Sequence, residues 1–139
     1  AKSFCRMVDR ICVVGSKIPM EIWTVDVFNY GVKNFLNHEV DGNGKQKLMD
    51  CDTHPHFRAM QKGVKMGWKA AFDKGVEAYL DGNWEVAIAS LNQAEILYGE
   101  KRDGPTKSLL DQMAQRGNTA PADWIPEGQT RGFRQLTSK

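Results

Sequence analysis

The chain has 139 residues, of which 41% are apolar and 26% charged, with a formal net charge of +2. This is ordinary for a soluble globular chain and excludes wholesale disorder; the near-neutral charge argues against a nucleic-acid binder, which would concentrate basic residues on one face. No apolar run approaches the roughly 20 residues that a membrane-spanning helix needs.

From Met7 to Val27 the pattern predicts two strands with a turn between them. Ile11-Cys12-Val13-Val14 is an apolar run stopped by Gly15-Ser16-Lys17, and Glu21 to Val27 alternates with period two, as a half-buried strand does. Gly15 and Pro19 suit the ends of the connection, because glycine permits positive φ and proline lacks a ladder donor. Two strands alone are marginal in water, so this hairpin expects a larger sheet beside it. The stretch 29–56 loses periodicity and reads as a linker, with a turn at Asp41-Gly42-Asn43-Gly44.

From Phe57 the period becomes helical. Ala71, Gly75, Ala78 and Tyr79 mark a first helix that ends at Asp81-Gly82-Asn83. Trp84, Ala87, Ile88, Leu91, Ala94 and Leu97 form the stripe of a second. Asp103-Gly104-Pro105 opens a third helix, with Leu109, Leu110 and Met113 on its apolar face and Gly117-Asn118 as its stop. Residues 118–139 carry Pro121, Pro126, Gly128 and Gly132 and read as an extended tail anchored by Trp124, Phe133 and Leu136. The expected class is therefore α+β: a terminal hairpin (1–28), a linker (29–56), a small helical unit (57–117) and a tail (118–139) that packs back over it.

Other constellations are weaker. Cys5, Cys12 and Cys51 are odd in number and irregular in spacing, which favours reduced thiols in a cytoplasmic chain over a disulfide framework. Cys51, His54 and His56, with His38 to spare, fall short of the usual four-ligand zinc spacing. The Asp41–Lys45 stretch is superficially like a calcium loop, but Gln46 stands where that loop needs glycine and no Glu closes it. No metal ligand is assigned. Cysteine with histidine, lacking oxyanion donors and an orienting acid, gives no nucleophile.

Two resemblances add to this. The pattern Gly75, Ala78, Tyr79, Gly82-Asn83-Trp84, Ala87-Ile88, Leu91 and Ala94 resembles one tetratricopeptide repeat, with Gly99 at the usual proline position. Small residues at Gly75, Ala78, Ala87 and Ala94 let two antiparallel helices approach, while Trp84 and Leu91 fill the space between them. In that family the first helix lines a peptide groove, a face that Phe72, Val76 and Tyr79 would occupy here; the alternative is that these three are simply buried.

The hairpin, from Met7 through Gly15 to Pro19-Met20-Glu21-Ile22-Trp23, is similar to the end of a class III adenylate/guanylate cyclase domain. The resemblance extends through Gly82-Asn83-Trp84, Asp103 to Lys107, Trp124 and Gly132-Phe133-Arg134-Gln135-Leu136-Thr137-Ser138-Lys139 to cyclase-bearing proteins of single-celled eukaryotes. It implies the carboxy-terminal, structural or regulatory segment of a cyclase-type parent, inactive by itself, since the catalytic aspartates lie upstream. Such a parent converts a nucleoside triphosphate to a cyclic 3′,5′-monophosphate with Mg or Mn, and its sites form between two domains, which implies a dimer. The family places a phosphate-binding lysine just after the hairpin glycine; here Ser16 follows Gly15 and Lys17 stands one residue later, so Lys17 is either a triphosphate ligand or a solvated turn lysine. The alternative function is a non-enzymatic adaptor whose helical pair captures a peptide or assembly and whose hairpin is a degenerate remnant.

Overall fold

The computed structural model describes residues 5–26, 40–45, 55–99 and 101–137. In chain order these form strands β1 (Cys5–Cys12) and β2 (Met20–Val25), helices α1 (Pro55–Met60), α2 (Met66–Leu80), α3 (Trp84–Tyr98) and α4 (Gly104–Ala114), and strand β3 (Arg134–Gln135). The class is α+β, with a hairpin followed by helices. The sheet order is β2-β1-β3.

Two compact units divide the chain, and they cut across the composition zones. Residues 7–24 belong with 65–139, while 1–6 belong with 25–64. The first grouping has a physical cause in the tail. β3 pairs in parallel with β1, Ile11 opposite Arg134 and Cys12 opposite Gln135, so the hairpin is tied to the segment that follows the helices. In the other unit, Arg6 clasps Asp26 across the open end of the hairpin through Nε–Oδ2 at 3.0 Å and Nη2–Oδ1 at 2.9 Å. The loop 40–45 closes on Asp41, whose Oδ1 accepts the amides of Asn43 and Lys45, both at 2.9 Å.

The helical core sits between α2 and α3. Trp68, Phe72, Val76, Tyr79 and Leu80 of α2 meet Trp84, Ala87, Leu91 and Ala94 of α3, all buried. The two helices are antiparallel: Gly67 lies by Leu97, Gly75 by Leu91, and Trp68 by Tyr98 at 5.0 Å between rings. Their turn is a Schellman cap, in which the Asn83 amide donates to the Ala78 carbonyl at 2.9 Å and the Gly82 amide to the Tyr79 carbonyl at 3.2 Å. Gly82 takes φ +78°, a conformation that glycine adopts without a Cβ penalty. Asn83 then caps α3 by accepting from the Val86 amide at 3.3 Å.

α4 begins on Asp103, which is buried and accepts from both the amide and the hydroxyl of buried Thr106. Pro105 sits in its first turn, where a missing N–H costs nothing. Leu109 and Met113 face inward, and the Gly117 and Asn118 amides turn back onto the Ala114 and Met113 carbonyls.

Candidate functional site

The first candidate region is the hairpin turn. Gly15 takes φ +83°, and the Ser16 amide donates to the Val13 carbonyl at 3.0 Å, closing a tight turn. Ser16 Oγ then accepts the Ile18 amide at 3.1 Å, while the Cys12 thiol donates to the Ser16 carbonyl at 3.1 Å. The turn is thus tied down at Ser16, and Lys17 next to it is exposed. The geometry leaves the ammonium in solvent on a firm base.

β2 is at the sheet's edge and no residue of it is buried. Trp23 and Val25 share one face and are about half exposed, at 48% and 50%; Met20 on the other face is 47% exposed and Ile18, just before the strand, 77%. Trp23 Nε1 donates to Glu21 Oε2 at 3.1 Å, as residues two apart on a strand face can. Among the described residues no strand covers the outer side of β2, and an apolar edge of this kind suits pairing with a further strand.

The second candidate region is the helical pair. Phe72, Val76 and Tyr79 are each no more than 2% exposed, so these residues pack the interior and do not line an open groove. Of the small residues expected at the helix contact, Gly75, Ala87 and Ala94 are buried and Ala78 is half-buried, with Trp84 and Leu91 buried among them. Burial also pushes the Tyr79 phenol well above its ordinary range; the Asp9 carboxylate acts in the same direction, with Arg134 and Arg116 opposing.

The tail accounts for much of that burial. The Trp124 ring packs against Tyr79 at 4.9 Å and edge-on to Trp84 at 5.1 Å. Its indole N–H donates to the Tyr79 carbonyl at 2.8 Å, and Trp84 Nε1 donates to the same oxygen at 3.1 Å. Further on, the Gly132 amide donates to the Leu80 carbonyl at 2.7 Å, and a Cβ on Gly132 would overlap the Trp124 indole. Of the carbonyls at the end of α2, which an α-helix leaves without intrahelical donors, the tail thus supplies the Leu80 donor and one of the Tyr79 donors, while the turn and Trp84 supply the rest.

Sequence reading missed the charged residues that tie the tail to the sheet. Asp9, 7% exposed, accepts from Arg134 through Nε at 2.9 Å and Nη2 at 2.6 Å. Arg10 donates to the Arg131 carbonyl at 2.7 Å and to Gln129 Oε1 at 3.0 Å, and its guanidinium lies 5.9 Å from the Phe133 ring centroid. The available signal was the placement of Asp9 and Arg10 inside an otherwise strand-forming run, where an unpaired charge would be costly.

Among the described residues no cluster of three or more His, Cys, Asp or Glu side chains could hold a metal, and no helix is long and apolar enough to cross a membrane. Cys51, His54 and His38 lie outside the described residues, as does the side chain of His56. The Asp41 carboxylate already serves two backbone amides. Compared with protein-family models, curated proteins and solved structures, the chain has no significant match.

Proposed function

We propose that the chain is the carboxy-terminal segment of a class III nucleotide-cyclase-type protein, where it completes the sheet and carries a helical regulatory unit. The observation that carries this reading is the β1–β2 hairpin. It has the Gly15 turn and the Pro19-Met20-Glu21-Ile22-Trp23 strand of the motif, and its β2 edge exposes Met20, Trp23 and Val25. A small sheet whose edge strand, among the described residues, pairs on one side only is well suited to receive a strand from a preceding part of the same domain.

In this reading the parent turns a nucleoside triphosphate into a cyclic 3′,5′-monophosphate and diphosphate, as a dimer, on the cytoplasmic side. The metal pair, Mg or Mn, belongs to upstream aspartates, and no residue of this chain is assigned to it. In this reading Lys17 would offer a cation to a phosphate, which its exposure beside a turn fixed by Ser16 permits. The adaptor alternative is the weaker one, because Phe72, Val76 and Tyr79, its expected peptide face, are buried.

The test is capture of the native protein from its source with an antibody to this chain, followed by sizing and by assay of cyclic AMP and cyclic GMP formation with Mg²⁺ or Mn²⁺. The expected result is a species much larger than this chain that forms one of the two products. A species the size of this chain alone, with no cyclase activity, would overturn the reading.

A further inference from the structure

We propose that residues 118–137 form a strap that docks and releases as one unit, so that the state of the helical pair is read out in the hairpin. The strap is held by the helices and by the sheet through attachments that interleave along it, because Arg10 of β1 already holds Gln129 and the Arg131 carbonyl ahead of Gly132. On the helix side the Gly132 amide bonds the Leu80 carbonyl and Trp124 fills the space against Tyr79 and Trp84. On the sheet side Arg134 grips Asp9, and the Leu136 amide donates to the Cys12 carbonyl at 2.9 Å.

β3 is two residues long, too short to hold its register by ladder bonds alone. Its position is determined by where Gly132 and Trp124 fix the chain just before it. Conversely, losing the Asp9–Arg134 contact frees the chain just after Gly132. Coupling of this kind is reciprocal: the factor by which docking of one zone favours docking of the other is the same in both directions.

The sheet-side zone ends at the residue that also holds the turn. Cys12 accepts from Leu136 through its carbonyl, and its thiol reaches the Ser16 carbonyl, next to Lys17. A partner that displaced Trp124 from Tyr79 and Trp84 would thereby loosen the support of the Gly15–Lys17 turn. This coupling needs nothing from the nucleotide chemistry proposed above, and it is tested without any activity.

The experiment is amide and indole hydrogen exchange by NMR on the full chain. In Trp124→Ala, the Gly132 and Leu136 amides are expected to exchange at least about tenfold faster, by matching factors, while the Leu91 amide inside α3 keeps its protection. In Arg134→Ala, approached from the sheet side, the Trp124 indole N–H and the Gly132 amide are expected to speed up together, again with Leu91 unchanged. Acceleration at Gly132 with Leu136 unmoved would overturn the proposal, because the zones would then be independent. So would loss of protection at Leu91 in step with the tail, because the strap would not be a separable unit. An indole N–H that ignores Arg134→Ala would overturn it equally.

Discussion

Replacing Gly75 by alanine separates two opposing effects that the structure allows to be weighed. In a helix interior glycine is about 1 kcal/mol worse than alanine, so the exchange alone should stabilise α2. At Gly75, however, an added Cβ would stand 2.6 Å from Leu91 Cγ, 2.8 Å from Leu91 Cδ2 and 3.3 Å from the Leu91 backbone nitrogen. Leu91 is fully buried, and a change of rotamer cannot move its backbone nitrogen, so α2 and α3 must separate by a few tenths of an ångström. Overpacking of this sort costs about 1–3 kcal/mol, enough to reverse the propensity gain, and a net loss of about 1 kcal/mol is expected. Gly67 supplies the control, because its Cβ would meet only Leu97 Cδ1 at 3.8 Å, an ordinary contact. Urea unfolding of both variants should therefore move the midpoint in opposite directions, down for Gly75→Ala and up for Gly67→Ala by as much as about 1 kcal/mol. In a Leu91→Ala background the obstruction is gone, and Gly75→Ala should turn neutral or stabilising, a coupling of about 1–3 kcal/mol. Equal stabilisation by Gly75→Ala and Gly67→Ala in the parent chain would refute the close approach and, with it, the reason for a glycine at this position.

Three further outcomes are expected. Tyr79 stays protonated in the folded chain above pH 10, while an unfolded tyrosine ionises near its ordinary value of about 10; its contribution to stability is therefore complete below that pH and falls as pH rises beyond it. Tyr79→Phe should accordingly flatten the alkaline limb of a stability-versus-pH curve, and an unchanged slope would count against the buried phenol. Asp103→Ala removes the acceptor for the Thr106 amide and hydroxyl and should cost about 1–2 kcal/mol by chemical denaturation, with Asp103→Asn recovering part of the loss. Trp23→Ser, on the exposed β2 edge, should change stability of this chain by no more than about 0.5 kcal/mol; a larger loss would show that the edge is covered within the chain.

The helical unit was legible because each of its signals is local. Trp84, Ala87, Leu91 and Ala94 repeat at helical spacing, Gly82-Asn83 carries the turn chemistry, and Asp103-Gly104-Pro105 reads directly as a cap and first turn. The strands of the hairpin were legible for the same reason, through Gly15 and the run from Glu21, but the expected half-burial was not met: Trp23 and Val25 lie on the more exposed face of β2. What was hidden depends on partners far apart in the chain. Arg134 lies opposite Asp9 and Gly132 against Trp124 and Leu80, and no periodicity connects such residues. The tail was expected over the helices, where Trp124 does lie, but its completion of the sheet needs a parallel pairing that carries no short-range turn signal. At the candidate site, the exposure of Lys17 follows from its turn, whereas the burial of Phe72, Val76 and Tyr79 depends on which segment covers that face.

The parallel pairing of β1 with β3 has a consequence for the order in which the chain acquires its structure. Gln135 and Cys12 meet although they stand 123 positions apart in sequence, whereas α2 and α3 are joined by three residues. Closing so long a loop carries an entropic cost that must be met before the contacts it brings are gained, and non-local pairings of this kind form slowly. During synthesis the helical hairpin can assemble as soon as it emerges, while β1, made before the helices, must wait for residues 134–135 to arrive. For that interval one side of β1 is an unprotected edge, and a chain stalled before residue 134 would present it to its neighbours.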